Sequence, residues 1–169
     1  MASVRAATPA DAEQIARVHV LSWQATYKEL IPDKFLAELS VERRAAQWHA
    51  ALIQHQQTNF LFVAETDADG VVGFVASGLE RQGRKAYTGE IYAIYILKQS
   101  QGQGIGRLLF EAAVADLKQR GQTSMLLWVL VDNTSRGFYE RMGGMLLDEK
   151  DIEIGGVVLK EVAYGWSKI

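Results

Sequence analysis

The sequence predicts an α/β protein in which one mixed sheet is covered by helices, and three observations carry that prediction. In the first third of the chain, apolar residues recur at offsets of three and four, as on one face of a helix. From Asn59 to Ile96 the pattern changes to short runs rich in β-branched and aromatic residues, separated by turn residues. A helix of period 3.6, an apolar run and a further short helix then follow over 104–142.

Ser3 to Ala7 reads as a short strand, and Thr8-Pro9 with Asp11 reads as a helix start: a capping hydroxyl, a proline in the first turn and a nearby acid. That helix is predicted to run to about Tyr27, with Ile15, Val18, His19, Ser22 and Trp23 along one face. Ile31-Pro32 interrupts any continuation, because a residue before proline is pushed out of the helical region. Asp33 to Leu39 is predicted as a short helix, and Ser40 as the cap of a longer one carrying Ala45, Trp48, Leu52 and Ile53.

After the polar stretch from Gln54 to Thr58, the runs Asn59–Thr66 and Val71–Leu79 are predicted strands joined by the turn Asp67-Ala68-Asp69-Gly70. Glu80 to Thr88 is polar and reads as a loop, and Glu90 to Ile96 as a third strand. Gly104 to Gln119 is a predicted helix that stops at Gly121, and Met125 to Val131 a strand buried on both faces. A helix over about Thr134–Met142 and two strands around Gly155-Gly156 complete the main order β-α-α-β-β-β-α-β-α-β-β.

With 169 residues and 49% hydrophobic content, the chain is expected to form a single domain over 1–169. Eighteen basic residues stand against 20 acidic ones, a formal charge of -2, so no overall field draws the chain to nucleic acid or to an anionic membrane. There is no cysteine, which excludes disulfides, thiolate zinc sites and a cysteine nucleophile. His19, His49 and His55 are not spaced as a zinc-binding pair on one helix, so no metal is expected. Residues 1–9 lack the apolar core of a secretory signal, and the longest apolar run, Met125 to Val131, is far shorter than the ~20 residues that span a bilayer. A soluble, cytoplasmic protein is the expectation.

The segment that carries chemistry is Gln101-Gly102-Gln103-Gly104-Ile105-Gly106, between an apolar strand and a helix. Alternating glycines let backbone approach a ligand, and a helix N-terminus leaves amide N–H groups unpartnered, which suits a phosphate. A P-loop would need Lys and Ser or Thr after the last glycine, where Arg107 and Leu108 stand. A dinucleotide fingerprint would need a third glycine where Arg107 or Leu109 stands. Both readings fail, and a tight corner with no ligand stays open on the residues alone.

The remaining pattern, Gln101-x-x-Gly104-x-Gly106, resembles the pyrophosphate-binding motif of the GNAT acetyltransferases. The resemblance extends to the aliphatic strand Ile91–Leu97 before it and, after its helix, to the run Met125–Val131, Asn133, Phe138-Tyr139 and Gly143 in that order. It implies a central, mostly antiparallel sheet flanked by helices, acetyl-CoA as co-substrate and no metal. It implies that the amides from Gln101 through Gly102, Gln103, Gly104 and Ile105 to Gly106, with Arg107, hold the coenzyme diphosphate. The edge Ile94-Tyr95-Ile96 would pair with the pantetheine arm as another strand, and the Ile94 amide would donate to the acetyl carbonyl. Asn133 would face the pantetheine.

Tyr139 is the expected general acid for the departing thiolate, its ordinary pKa of about 10 lying near a thiol's ~8.5. The plainer role is half of an aromatic core pair with Phe138. Glu90 is the expected base: it precedes Gln101 by the interval at which the histone acetyltransferase branch carries its catalytic glutamate. A relay through water, and Glu80, are alternatives. Without cysteine, direct attack in a ternary complex is expected rather than an acyl-thioenzyme. Three positions depart from the common pattern: Lys98 stands for a frequent proline, the interval from Asn133 to Tyr139 is one residue short, and Gly144 stands for a frequent phenylalanine.

The resemblance places the acceptor amine over the first two helices and the strand of Glu90. Trp23 and Tyr27 share a helix face there, and Tyr92 shares strand parity with Glu90 and Ile94, so all three are candidate walls of the acceptor site. The resemblance implies as acceptor the amine of a small molecule or of a protein N-terminus, and a possible homodimer, since homodimers are common in the family. A non-catalytic acyl-CoA sensor and a nucleotide-binding protein are the competing readings.

Overall fold

Strands and helices begin and end at the residues that start and stop them. The computed structural model describes residues 1–54 and 59–169; residues 55–58, His55 among them, lie outside the described residues. β1 spans Ser3–Ala6, and Thr8 then opens a 3-10 turn over Pro9–Asp11 that leads into α1, Ala12–Thr26. The Asp11 carboxylate accepts from the Thr8 amide at 2.7 Å and the Thr8 hydroxyl at 3.0 Å. Arg5 grips the same carboxylate at 2.8 Å and 2.9 Å, fastening the helix start to β1.

α2 covers Asp33–Ala37 and α3 Val41–Gln54, and the Ser40 hydroxyl accepts from the Arg43 amide at 3.1 Å as a cap. β2 (Asn59–Thr66) and β3 (Gly70–Leu79) form the expected hairpin, followed by β4 (Gly89–Ile96). A 3-10 turn over Lys98–Ser100, which the sequence pattern did not predict, leads to α4 (Ile105–Gln119). β5 is Met125–Leu130, α5 is Arg136–Arg141, and β6 (Met145–Ile154) and β7 (Val157–Trp166) close the chain.

α5 starts later than predicted because the Asn133 side chain takes the Ser135 amide at 2.8 Å, competing with helix hydrogen bonding. β5 is not buried on both faces throughout, since Trp128 is only half-buried.

The seven strands lie in the order β1-β2-β3-β4-β5-β7-β6, every pair antiparallel except β4 with β5. Joining that parallel pair needs a crossover, and α4 supplies it. Aromatic residues of α1 and α3 pack on one face of the sheet, where His19 and Trp48 meet Phe74. α4 covers the other face, where Leu109, Phe110, Ala113 and Leu117 join the main core. Tyr27, Ile31 and Leu36 form a smaller cluster with Leu130, against which Ile152, Ile154 and Leu159 of the β6–β7 hairpin pack.

Two irregularities position the site. β4 and β5 pair only from Gly89–Met125 to Ile91–Leu127 and then part. On its other side β4 carries an extra residue: Ala93 pairs with Ala76 and Ile91 with Ser77, which leaves Tyr92 as a bulge. Because the bulge shifts the alternation, Glu90 shares its face with Ala93 and Tyr95 while Ile94 points to the α4 face. The parity expected to link Glu90, Tyr92 and Ile94 is broken at that residue.

Candidate active site

Past Ile91 and Leu127 the parted strands open a cavity of about 960 Å³. Its lining includes β4 from Glu90 to Ile96, the glycine corner, Asn133, Tyr139, Trp23 of α1 and Tyr27 at the end of that helix. The structure thus brings the expected site residues together around one opening, apart from Gln103, which is exposed beside it and donates to the Gln99 carbonyl at 3.2 Å.

At the corner, Gly102 and Gly104 adopt φ of 74° and 81°, and Gly104 caps α4 in the left-handed region. No side chain caps the helix, and among the described residues the amides from Gly102 to Gly106 donate to no backbone carbonyl or side chain. A Cβ built on Gly102 or Gly104 would meet no atom within 4 Å. Open space faces several unpartnered N–H groups at the positive end of a fifteen-residue helix, which is the donor set a diphosphate requires. The corner fits the coenzyme.

Other expected contacts are partly engaged. Arg107 lines the cavity but its Nε donates to Glu111 at 2.7 Å. Gln101 donates through its side chain to the Ile96 carbonyl at 3.1 Å, tying the corner to the end of β4. Asn133 uses Oδ1 for Ser135 and donates Nδ2 to the Tyr27 hydroxyl at 3.4 Å, so both ends of its amide brace the wall.

Three phenols stand beside the parted strands. Burial raises Tyr139 above its ordinary pKa, with the neighbouring Tyr27 adding to the effect. Burial likewise raises Tyr27, and pushes Tyr95 well up. All three are neutral donors at physiological pH. The Tyr139 hydroxyl makes no hydrogen bond among the described residues, and its ring packs against Phe138 at 5.4 Å. The hydroxyl is free for a ligand while the ring does the packing that the plainer reading assigned to it.

Glu90 is 2% exposed, and three donors of Arg81 engage it: Nη2 at 2.7 Å, the backbone amide at 3.1 Å and Nε at 3.3 Å. Tyr92 donates from its hydroxyl to the Leu79 carbonyl at 2.6 Å and lies under the Arg81 guanidinium, 4.0 Å from it. Trp23 and Tyr27 meet edge to face at 5.0 Å. Glu80 instead organises its own loop, accepting from the amides of Gln82 at 2.7 Å and Arg84 at 2.8 Å.

The family model for the "Acetyltransferase (GNAT) family" matches residues 23–144, most of the chain and all of the corner and parted strands. This chain belongs to the GNAT family. It is an acetyl-CoA-dependent N-acetyltransferase. The GNAT chain is 39% identical over 166 residues to the "Uncharacterized N-acetyltransferase YuaI" of Bacillus subtilis, covering 98% of this chain and 93% of that one. Over a shorter span of 86 residues it is 37% identical to a mycothiol acetyltransferase of Rhodococcus erythropolis, covering 50% of this chain and 29% of that one. Among solved structures, the PaiA N-acetyltransferase of Thermoplasma acidophilum in complex with coenzyme A superposes with a TM-score of 0.76 at 19% identity, covering 95% of this chain and 98% of that one. A ribosomal-protein-alanine N-acetyltransferase of Brucella melitensis gives 0.76 at 20%, covering 97% and 98%. These two structures share the fold.

Among the cavity residues that the sequence did not mark are Arg81, Trp128, Lys150 and Glu161. Lys150 pairs with Glu161 at 3.3 Å and sits over the Trp128 ring at 3.9 Å. One signal was available, since Lys150 and Glu161 stand the same number of residues from the Gly155-Gly156 turn and so face each other in a tight hairpin. Nothing local marked Arg81, which stands in a polar loop. Among the described residues no helix is long and apolar enough to cross a membrane.

Proposed function

We propose that this enzyme acetylates a primary amine, of a small molecule or a protein N-terminus, by direct attack on acetyl-CoA within a ternary complex. The observation that carries this is the open glycine corner, whose free amides look onto the same cavity as the free hydroxyl of Tyr139. The amides from Gly102 to Gly106 hold the diphosphate, the Gln101 amide being taken by the Lys98 carbonyl at 3.3 Å, and the freed β4 edge at Ile94-Tyr95-Ile96 receives the pantetheine as an added strand.

Tyr139 is the general acid. For unperturbed groups, proton transfer from a phenol to a thiolate is uphill by roughly 2 kcal/mol, small against a chemical barrier. Burial that raises the phenol acts in the same direction on a thiol in the same cavity. Glu90 takes the proton of the amine through water, because Arg81 occupies its own oxygens. Trp23, Tyr27 and Tyr92 form the acceptor wall.

The test is a thiol-release assay with acetyl-CoA and a panel of amines. Release that depends on the amine and saturates in both substrates, with no acetyl-enzyme on the way, is the expected result. Tight coenzyme binding with no release across a broad panel would make the chain a sensor instead.

A further inference from the structure

The Arg81–Glu90 pair is asymmetric in a way that its role as a simple ion pair does not explain. Glu90 is 2% exposed, whereas the Arg81 side chain keeps 58% of its surface exposed. A buried carboxylate needs a partner, and a partner within the core would satisfy it more fully. Here the buried group holds an exposed one.

The hold is rigid. Glu90 takes the Nε and Nη2 edge of the guanidinium, and the Arg81 backbone amide adds a third bond. The face of the guanidinium lies on the Tyr92 ring, and Tyr92 is itself pinned by its bond to the Leu79 carbonyl. Gly78 leaves the room that this ring occupies, since a Cβ there would collide with it. The remaining Nη1 donors make no hydrogen bond among the described residues, on a side chain that lines the cavity. A guanidinium fixed on one edge and one face, with its other edge free, is pre-organised for a planar oxyanion.

The carboxylates of the cavity do not offer the opposite chemistry. Glu90 is taken by Arg81, and Glu161 by Lys150, whose ammonium lies over Trp128. A polyamine would need a cluster of unpaired carboxylates, whereas here both Glu90 oxygens are held by Arg81 and Glu161 keeps a single oxygen outside its pair with Lys150.

Building on the acetyltransferase reading, we propose that the acceptor is a small amine that carries a carboxylate, and that Arg81 reads that carboxylate through Nη1. The acceptor is thereby a free amino acid or related amino carboxylate rather than a protein N-terminus, whose neighbouring group is a neutral peptide. Glu90 and Tyr92 position Arg81 for this contact.

The experiment compares phenylalanine, phenylalaninamide and phenethylamine, and the same triple built on leucine. Rates are corrected for the fraction of free amine at the assay pH. The carboxylated member is expected to have a kcat/KM about tenfold or more above the other two. Arg81→Gln equalises the three by raising the KM of the carboxylated amine, and Arg81→Lys recovers part of the preference. The double variant Arg81→Gln with Glu90→Gln removes the stranded buried charge; a cooperative melt together with equal calorimetric binding of the three amines to that same folded variant shows that a lost preference is not lost folding. A preference for the amide or the decarboxylated amine, or a carboxylate preference that survives Arg81→Gln, overturns the proposal.

Failure of the enzyme reading shows differently, as no thiol release from any amine. A binding arm still decides the role of Arg81 in that event. Calorimetric titration of the coenzyme A-loaded protein with the same triples supports the proposal if the carboxylated member binds tightest, and overturns it if that member binds equally or more weakly.

Discussion

Gly104 and Gly121 stand at opposite ends of α4 with φ of 81° and 80°, and a Cβ on either would meet nothing within 4 Å. The two positions therefore carry the same backbone strain on substitution by alanine, about 1–2 kcal/mol for an L-residue in the left-handed region. For a chain of this size that is a fall in Tm of roughly 2–8 °C, expected equally for Gly104→Ala and Gly121→Ala. The variants differ in what the new methyl group faces. At Gly104 it projects into the space that the free amides border, and displacing a diphosphate from one of them forfeits a charge-assisted bond worth about 1.5–3 kcal/mol. The Kd for coenzyme A then rises roughly 10- to 150-fold. At Gly121 it faces solvent beyond the far end of the helix, and the Kd stays as in the parent. Calorimetric titration of both variants with coenzyme A, beside their melts without ligand, reads both quantities. Equal Kd values in the two variants would refute the placement of the diphosphate at the α4 corner.

Tyr139→Phe removes the free hydroxyl but leaves the ring that packs on Phe138; we expect coenzyme binding to be kept and kcat to fall on the order of 10²- to 10⁴-fold in steady-state assays. His19 is buried among aromatic rings, and burial, helped by the charge of Arg44, lowers its pKa from 6.5 to about 4. The unfolded chain thus binds the proton first, so this stability is complete above pH 6.5 and is lost as the pH falls toward 4. At about 1.4 kcal/mol for each pH unit the loss amounts to roughly 3 kcal/mol, and denaturant melts of His19→Leu are expected to lack that part of the slope. Gly78→Ala drives a methyl group against the Tyr92 ring and shifts Arg81 with it; the acceptor KM should rise while the coenzyme A Kd does not change, a split that steady-state kinetics and titration resolve. Asp11→Ala strips the start of α1 of its bonds to Thr8 and Arg5, and about 2 kcal/mol of stability should be lost in denaturant melts at pH 7. The hydrogen bonds from Arg5, joined by those from Thr8, hold that carboxylate at about 2 against the opposing effect of burial, so the contribution is present above pH 3.8 and fades as the pH falls through 2.

Much of this protein was legible in the residues because it is written locally. Thr8-Pro9 starting the first helix, Ser40 capping α3, Gly70 and Gly155-Gly156 turning the hairpins and the glycines ahead of Ile105 act within a few residues of themselves. Their periodicity and turn chemistry require no knowledge of what packs above them. The corner's capacity for phosphate is of the same kind, since a helix start bordered by glycines presents free amides wherever it lies in a fold.

What the tertiary structure alone decided involves partners far apart in the chain. The bulge at Tyr92 reversed the face of every later residue of β4, and a period-two pattern carries no sign of one inserted residue. The parting of β4 from β5 after Ile91 and Leu127 depends on the whole sheet and its crossover helix. Glu90 looked like a lone carboxylate until the β3–β4 loop returned Arg81 over it, and Asn133 looked free until α1 set Tyr27 beside it, 106 positions away. A side chain's type and spacing set what it can do; which of its atoms remain unpaired is fixed only when distant segments have packed, and that determines where chemistry takes place.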